Sequence, residues 1–218
     1  MIEPIDITRP IYPGVPVWPG DTPYSYELTA RIAQGDSVNV GKITTTTHLG
    51  THLDAPWHYV EEGGRLESVP LSVLVGPCQV VDARGQKALS VEFLKGVELA
   101  ERTLFYTGEP NRWDTFPRNF THVLPEAALY LAAQGVRLFG TDGPSVDPLT
   151  SKDLPAHRAF ARGGVFILEG LALEGVPAGG YELIALPMRL EGADAAPVRA
   201  ILSPNRNQSK ARATPPSG

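Results

Sequence analysis

The 218-residue chain has one cysteine, Cys78, so it can form no intramolecular disulfide, and a disulfide-stapled secreted scaffold is excluded. It has no Lys/Arg run of the kind that tracks nucleic-acid phosphates or anionic lipid, and its net charge is −5. No apolar stretch approaches the ~20 residues needed to span a bilayer. The segment Met1 to Asp6 lacks the basic and apolar regions of a signal peptide, so a soluble, cytoplasmic protein is expected. Gly163-Gly164 and Gly179-Gly180 lack the spacing and the Lys/Ser of a phosphate loop. Ser145 lacks a Gly-x-Ser-x-Gly elbow, which argues against a serine hydrolase.

With 42% apolar and 20% charged residues, the composition is that of an ordinary globular chain, long enough to bury one core. Glycine (22) and proline (21) are frequent, so turns should be many and long helices few. Glu3 to Thr8, Tyr24 to Ile32 and Ser37 to His48 read as strands, the last two by alternation and the last also by its run of four stiff β-branched threonines. Between the first two lies a loop stiffened by Pro13, Pro16, Pro19 and Pro23.

From Cys78 onward strand and helix signals alternate. Cys78–Asp82, Thr103–Gly108, Val136–Asp142, Val165–Glu169 and Leu183–Leu186 read as strands, and Pro197–Leu202 as an edge strand. Ser90 reads as the N-cap of a short helix, Pro125-Glu126 opens a helix stopped by Gly135, and Ser151–Arg162 is a third helix with Pro155 in its first turn. One α/β domain with a mixed β core flanked by helices is expected over residues 1–203, followed by a polar, disordered tail over 204–218.

Histidine is scarce, five in all, yet His48, His52 and His58 fall within eleven residues, with Asp54 among them. Imidazole and carboxylate suit Zn²⁺, Mn²⁺ and related ions. Gly50, Pro56 and the threonines disfavour a helix here. An extended chain would hold the Cα atoms of His48 and His52 roughly 13 Å apart. A turn at Gly50 is therefore required if both are to hold one ion.

His48-x-Gly50-Thr51-His52-x-Asp54-Ala55-Pro56-x-His58 resembles the signature of the cyclase-like metal-dependent hydrolases. The resemblance runs from about Ile5 to Ile201 through Pro16–Pro23, Asp142–Pro148, Ala156-His157-Arg158, Leu168-Glu169-Gly170-Leu171 and Tyr181–Pro187. It implies a swivelling β/β/α type of fold, a homodimer and two divalent ions per subunit, Zn²⁺ in the first place and Mn²⁺ as the other candidate. By position, His48, His52 and Asp54 would hold one ion, Asp54 would bridge to a second held by His157, and Glu169 would bridge both. His58 would be the acid/base, and Trp18 would line the substrate pocket. The activity implied is that of an arylformamidase of tryptophan degradation by the kynurenine pathway, with N-formyl-L-kynurenine as its small-molecule substrate. Leu53 and Gly143 depart from that branch, which carries a small residue and a threonine there. The alternatives are a related hydrolase opening a cyclic amide such as isatin, and a non-catalytic metal-binding protein.

The residues themselves agree with a metal site. Glu169 ends an apolar strand, where a carboxylate is costly without a cation. His122 reads as a surface residue, Cys78 as a buried filler and Asp21 as a turn residue.

Overall fold

The computed structural model describes residues 3–204. The tail expected to be disordered lies, apart from Pro204, outside the described residues. The first third holds β1 (Ile5–Asp6), β2 (Ser25–Ala30), β3 (Val40–Thr44) and β4 (His52–Asp54). Then follow α1 (Leu71–Leu74), β5 (Val75–Asp82), β6 (Ala88–Leu89), α2 (Val91–Leu94), β7 (Arg102–Tyr106), β8 (His122–Val123), α3 (Pro125–Ala133) and β9 (Leu138–Thr141). The chain continues through α4 (Pro155–Gly163), β10 (Phe166–Glu169), β11 (Gly179–Pro187) and β12 (Ala195–Pro204).

The main sheet runs β1-β12-β11-β5-β7-β9-β10-β4, and an additional pairing of β12 with β4 closes it into a barrel. Ala195–Pro197 of β12 pair with β4, while Val198–Pro204 pair with β11. Four neighbours, β5, β7, β9 and β10, are parallel, and α2, α3 and α4 lie in the connections between them. The remaining pairings are antiparallel, so the β core is mixed, as expected. In β7, β9 and β10 both faces are almost wholly buried, which explains why they read as continuous apolar runs. Successive residues go to opposite sides: Leu104, Leu138 and Leu168 fill one core, while Phe105, Phe139 and Ile167 join Phe160 and the helices in a second.

Three predicted elements differ. The strand expected over Ser37–His48 stops at Thr44, because the chain must bend through residues 47–51 to return His48 toward β4. The helix expected from Ser151 begins at Pro155, whose ring cannot follow a preceding helical turn; Leu154 before it has φ +46. Pro197–Leu202 is no edge strand but part of β12, which is paired on both sides. Ser90 does cap α2, its Oγ accepting from Phe93 N–H at 3.3 Å. Among the described residues no helix is long and apolar enough to cross a membrane.

Candidate metal centre and its pocket

The turn at Gly50 is present. Its φ of +64 lies in the left-handed region that glycine enters without a Cβ penalty, and the facing Gly170, at φ +66, would drive a Cβ to 2.2 Å from the Gly50 carbonyl oxygen. Two glycines thus let the His48–His52 loop close against the end of β10. In β4, His52 and Asp54 share one face. The antiparallel register sets His52 opposite Glu169, the last residue of β10, and His157 enters from the first turn of α4.

The five proposed ligands converge. His48 Nδ1 lies 3.2 Å and His52 Nε2 3.4 Å from Asp54 Oδ1, while His157 Nε2 lies 3.6 Å from Asp54 Oδ2. Glu169 turns Oε2 toward His52 Nε2 at 3.5 Å and Oε1 toward His157 Nε2 at 3.6 Å. A tetrahedron of ~2.0–2.1 Å metal–ligand bonds has edges of roughly 3.3–3.4 Å, which is the spacing these donor atoms keep. Both Asp54 oxygens are buried and accept no hydrogen bond, the state of a carboxylate built to face a cation. Burial, then the charge of Asp54, pushes Glu169 up to about 7. Two carboxylates in a dry site call for positive charge, and the donor set of imidazoles and carboxylates fits divalent ions.

Each imidazole is fixed from behind. His52 donates Nδ1–H to Gly50 O at 3.1 Å, His157 Nδ1 pairs with Asp147 Oδ2 at 2.7 Å, and His48 Nε2 pairs with Asp194 Oδ2 at 2.9 Å. The opposite nitrogen of each ring is thereby turned toward Asp54, the arrangement that sets tautomer and basicity in metal sites. Asp147 also accepts the backbone N–H groups of Ala156 and His157 at 3.0 Å, so one carboxylate caps α4 and aims its histidine. Sequence reasoning missed Asp147 and Asp194. An aspartate ahead of a proline-opened helix signals the first, but no local pattern marks the second, which arrives from the loop before β12. We expect Asp147→Asn and Asp194→Asn each to weaken Zn²⁺ binding about 10- to 100-fold, read by competition with a chelator. Unchanged affinity in both would remove them from the site.

The buried carboxylates draw positive charge into the site, as protons on the imidazoles when no metal is bound. Burial opposes protonation of His48, but Asp194 and Asp54 outweigh it and hold the ring at about 10. Burial is likewise outweighed at His157 by Asp147, Asp54 and Glu169, again at about 10. Asp54 stays well below the usual carboxylate range despite burial, through the three imidazoles around it. The metal-free site therefore carries protons on His48 and His157 at pH 7.5, and divalent ions must displace them. Zn²⁺ titration in buffers of different ionisation enthalpy should show proton release, about one from each ring, with affinity rising as pH rises toward 10. Binding without proton release would contradict this protonation state.

His58 sits at the end of the Pro56–His58 turn, with its ring 4.0 Å from that of His48 and Nδ1 3.7 Å from Asp194 Oδ2. Burial, reinforced by the neighbouring His48 and His157, pushes it down to about 4, so it is neutral at pH 7. Its donor atom also comes within 4.8 Å of those of His48 and Asp54, close enough to ligate.

The cluster floors a cavity of about 290 Å³. Trp18 lines its wall, as expected for a residue on the proline-stiffened loop, and stacks edge-on against Phe116 at 5.5 Å. Phe116 in turn meets Trp113 at 5.6 Å; both come from an irregular stretch that gave no sequence signal. Arg9 lies behind this wall, buried, with its guanidinium 3.8 Å from the Trp113 ring centroid, donating to the carbonyls of Pro110, Asp142, Gly170 and Leu171. It ties the aromatic loop to the turn after Glu169. Cys78 is buried and His122 half-buried, and neither lines this cavity.

Residues 5–148 match the family described as "Putative cyclase". The chain is 47% identical over 205 residues to the kynurenine formamidase of Geobacillus thermodenitrificans strain NG80-2, covering 93% of this chain and 98% of that one. It is 46% identical over 203 residues to the kynurenine formamidase of Erythrobacter litoralis strain HTCC2594, covering 90% and 92%. A solved structure described as a potential metal-dependent hydrolase with cyclase activity shares 34% identity and a TM-score of 0.80, over 93% of this chain and 98% of that one. Isatin hydrolase A from Labrenzia aggregata has the same fold, with a TM-score of 0.80 at 23% identity over 92% and 93%.

Proposed function

The chain belongs to the cyclase family of metal-dependent hydrolases, and from that membership and the geometry of the site we infer that it is an arylformamidase, hydrolysing N-formyl-L-kynurenine to L-kynurenine and formate. The observation that carries the reading is the orphaned, fully buried Asp54 carboxylate ringed by three imidazoles beneath an aromatic cavity.

Two ions fit the donor set. His48 Nδ1, His52 Nε2 and Asp54 Oδ1 would hold one, and His157 Nε2 and Asp54 Oδ2 the other, with Glu169 giving one oxygen to each. Zn²⁺ suits this nitrogen-rich, closely spaced set, and Mn²⁺ is the next candidate. When bound, such ions lower the pKa of water from 15.7 to about 7 and polarise a carbonyl oxygen.

The chain's own residues supply the rest. Trp18, Phe116 and Trp113 offer faces and edges on which a flat aryl ring can pack. His58, neutral and at the cavity wall, takes a proton from the attacking water at one ring nitrogen and passes it to the departing nitrogen. That transfer is needed because an amine anion is a poor leaving group; an anilide-type nitrogen makes it easier. One proton of the water passes through His58 to the amide nitrogen, the C–N bond breaks, the free arylamine leaves, and the formic acid formed gives its remaining proton to solvent and leaves as formate.

The same reading places the enzyme in the cytoplasm, in tryptophan degradation by the kynurenine pathway, as a homodimer. Exposed apolar side chains support the last point: Tyr26, Val40 and Ile43 on the β2–β3 hairpin, Ile184 and Leu186 on one face of β11, and Met188 just beyond its end. Side-by-side kinetics of the Zn²⁺-loaded protein with N-formyl-L-kynurenine and isatin test the substrate. Efficient turnover of the first is expected; turnover of isatin alone would overturn the formamidase reading.

A further inference from the structure

One charged side chain on the cavity wall belongs neither to the ligand set nor to the proton carrier: Asp21. It sits in a tight turn, its N–H donating to Trp18 O at 3.0 Å, which fixes it beside the aromatic face. Its carboxylate accepts only a long contact from Thr46 Oγ1, 3.4 Å, and has no cationic partner among the described residues. Pro16, Val17, Trp18, Trp113 and Phe116 also line the cavity, and among the described residues no lysine or arginine does.

A ligand that fills this cavity expels the water that solvates Asp21. Stripping a carboxylate of water without a partner is costly, so a neutral ligand is penalised and a ligand bringing a cation is favoured. Building on the formamidase reading, we propose that Asp21 is the subsite for the α-ammonium of the substrate, which makes the enzyme selective for aryl formamides that carry an amino group. N-formyl-L-kynurenine has its formamide on the aryl ring and its ammonium near the end of the acyl chain on the adjacent ring carbon. The ring packs on Trp18 and Phe116, the formamide reaches the cluster, and the ammonium meets Asp21. The α-carboxylate meets no opposite charge among the described residues of the wall and is left toward solvent.

The test compares the Zn²⁺-loaded wild type with Asp21→Asn and Asp21→Glu on N-formyl-L-kynurenine and on formanilide, which has the ring and the formamide but no ammonium. In Asp21→Asn the ratio of the two kcat/KM values should fall about 10- to 100-fold, through KM, and Asp21→Glu should recover part of it. For the wild type, acetylating the α-amino group should cost a similar factor, whereas esterifying the α-carboxylate should cost little. An unchanged ratio in Asp21→Asn overturns the subsite, as does an ester penalised as heavily as the acetylated substrate. A wild type active on formanilide and inactive on N-formyl-L-kynurenine overturns N-formyl-L-kynurenine as the substrate and the subsite with it. Activity on both with no Asp21 effect overturns the subsite alone.

Discussion

Asp54→Ala is expected to leave the purified protein without either metal ion and to lower kcat/KM by at least ~10³-fold, since the several kcal/mol that bound ions supply convert at 1.36 kcal/mol per tenfold. The size of the effect follows from position. One oxygen of Asp54 faces His48 and His52, and the other faces His157, so a single truncation removes a donor from both sites. It also leaves His48 and His157 without the carboxylate that draws positive charge to them. The fold should survive, because Asp54 accepts no hydrogen bond and β4 is held by its backbone pairing to β10 and β12. Metal analysis together with circular dichroism reads both outcomes. A folded variant with its full complement of metal would contradict the bridging role.

His58→Ala has the opposite signature. Metal content should stay at the wild-type level while kcat falls by at least ~10², because the proton carrier is lost and the ligands are not. KM should move less than kcat, since proton transfer acts in the transition state. Nδ1 of His58 lies 3.7 Å from Asp194, so that carboxylate is placed to steady the imidazolium formed during turnover. Loss of metal along with activity would make His58 a ligand, a role its distance from His48 and Asp54 allows. Unchanged activity would fit a protein that binds metal without catalysis.

The candidate metal centre was legible because its residues are chemically scarce. Three of the five histidines gather around a glycine, and no packing requirement asks for that. His157 and Glu169 were reached through family resemblance; on local grounds they are a histidine on a short helix and a carboxylate ending a strand. What brings them to His52 is the β4–β10 register and the barrel closure by β12, both products of long-range pairing. The same cause hid Asp194, whose loop becomes relevant only once β12 lies beside β4, and made Pro197–Leu202 look like an edge strand. Trp113 and Phe116 were hidden because an irregular loop has no period to read, and their placement depends on Arg9, about a hundred residues away, reaching across to the Pro110 carbonyl. Strand alternation was hard to see in β7, β9 and β10 because both faces are buried, yet their limits were nearly correct.

The most direct measurement is zinc content and N-formyl-L-kynurenine turnover on one purified sample, before chelation, after it and after metal is restored. The site geometry predicts about two zinc ions per chain, loss of turnover on chelation and its return with zinc. Turnover that survives complete removal of metal would contradict the claim that the Asp54 cluster performs the hydrolysis.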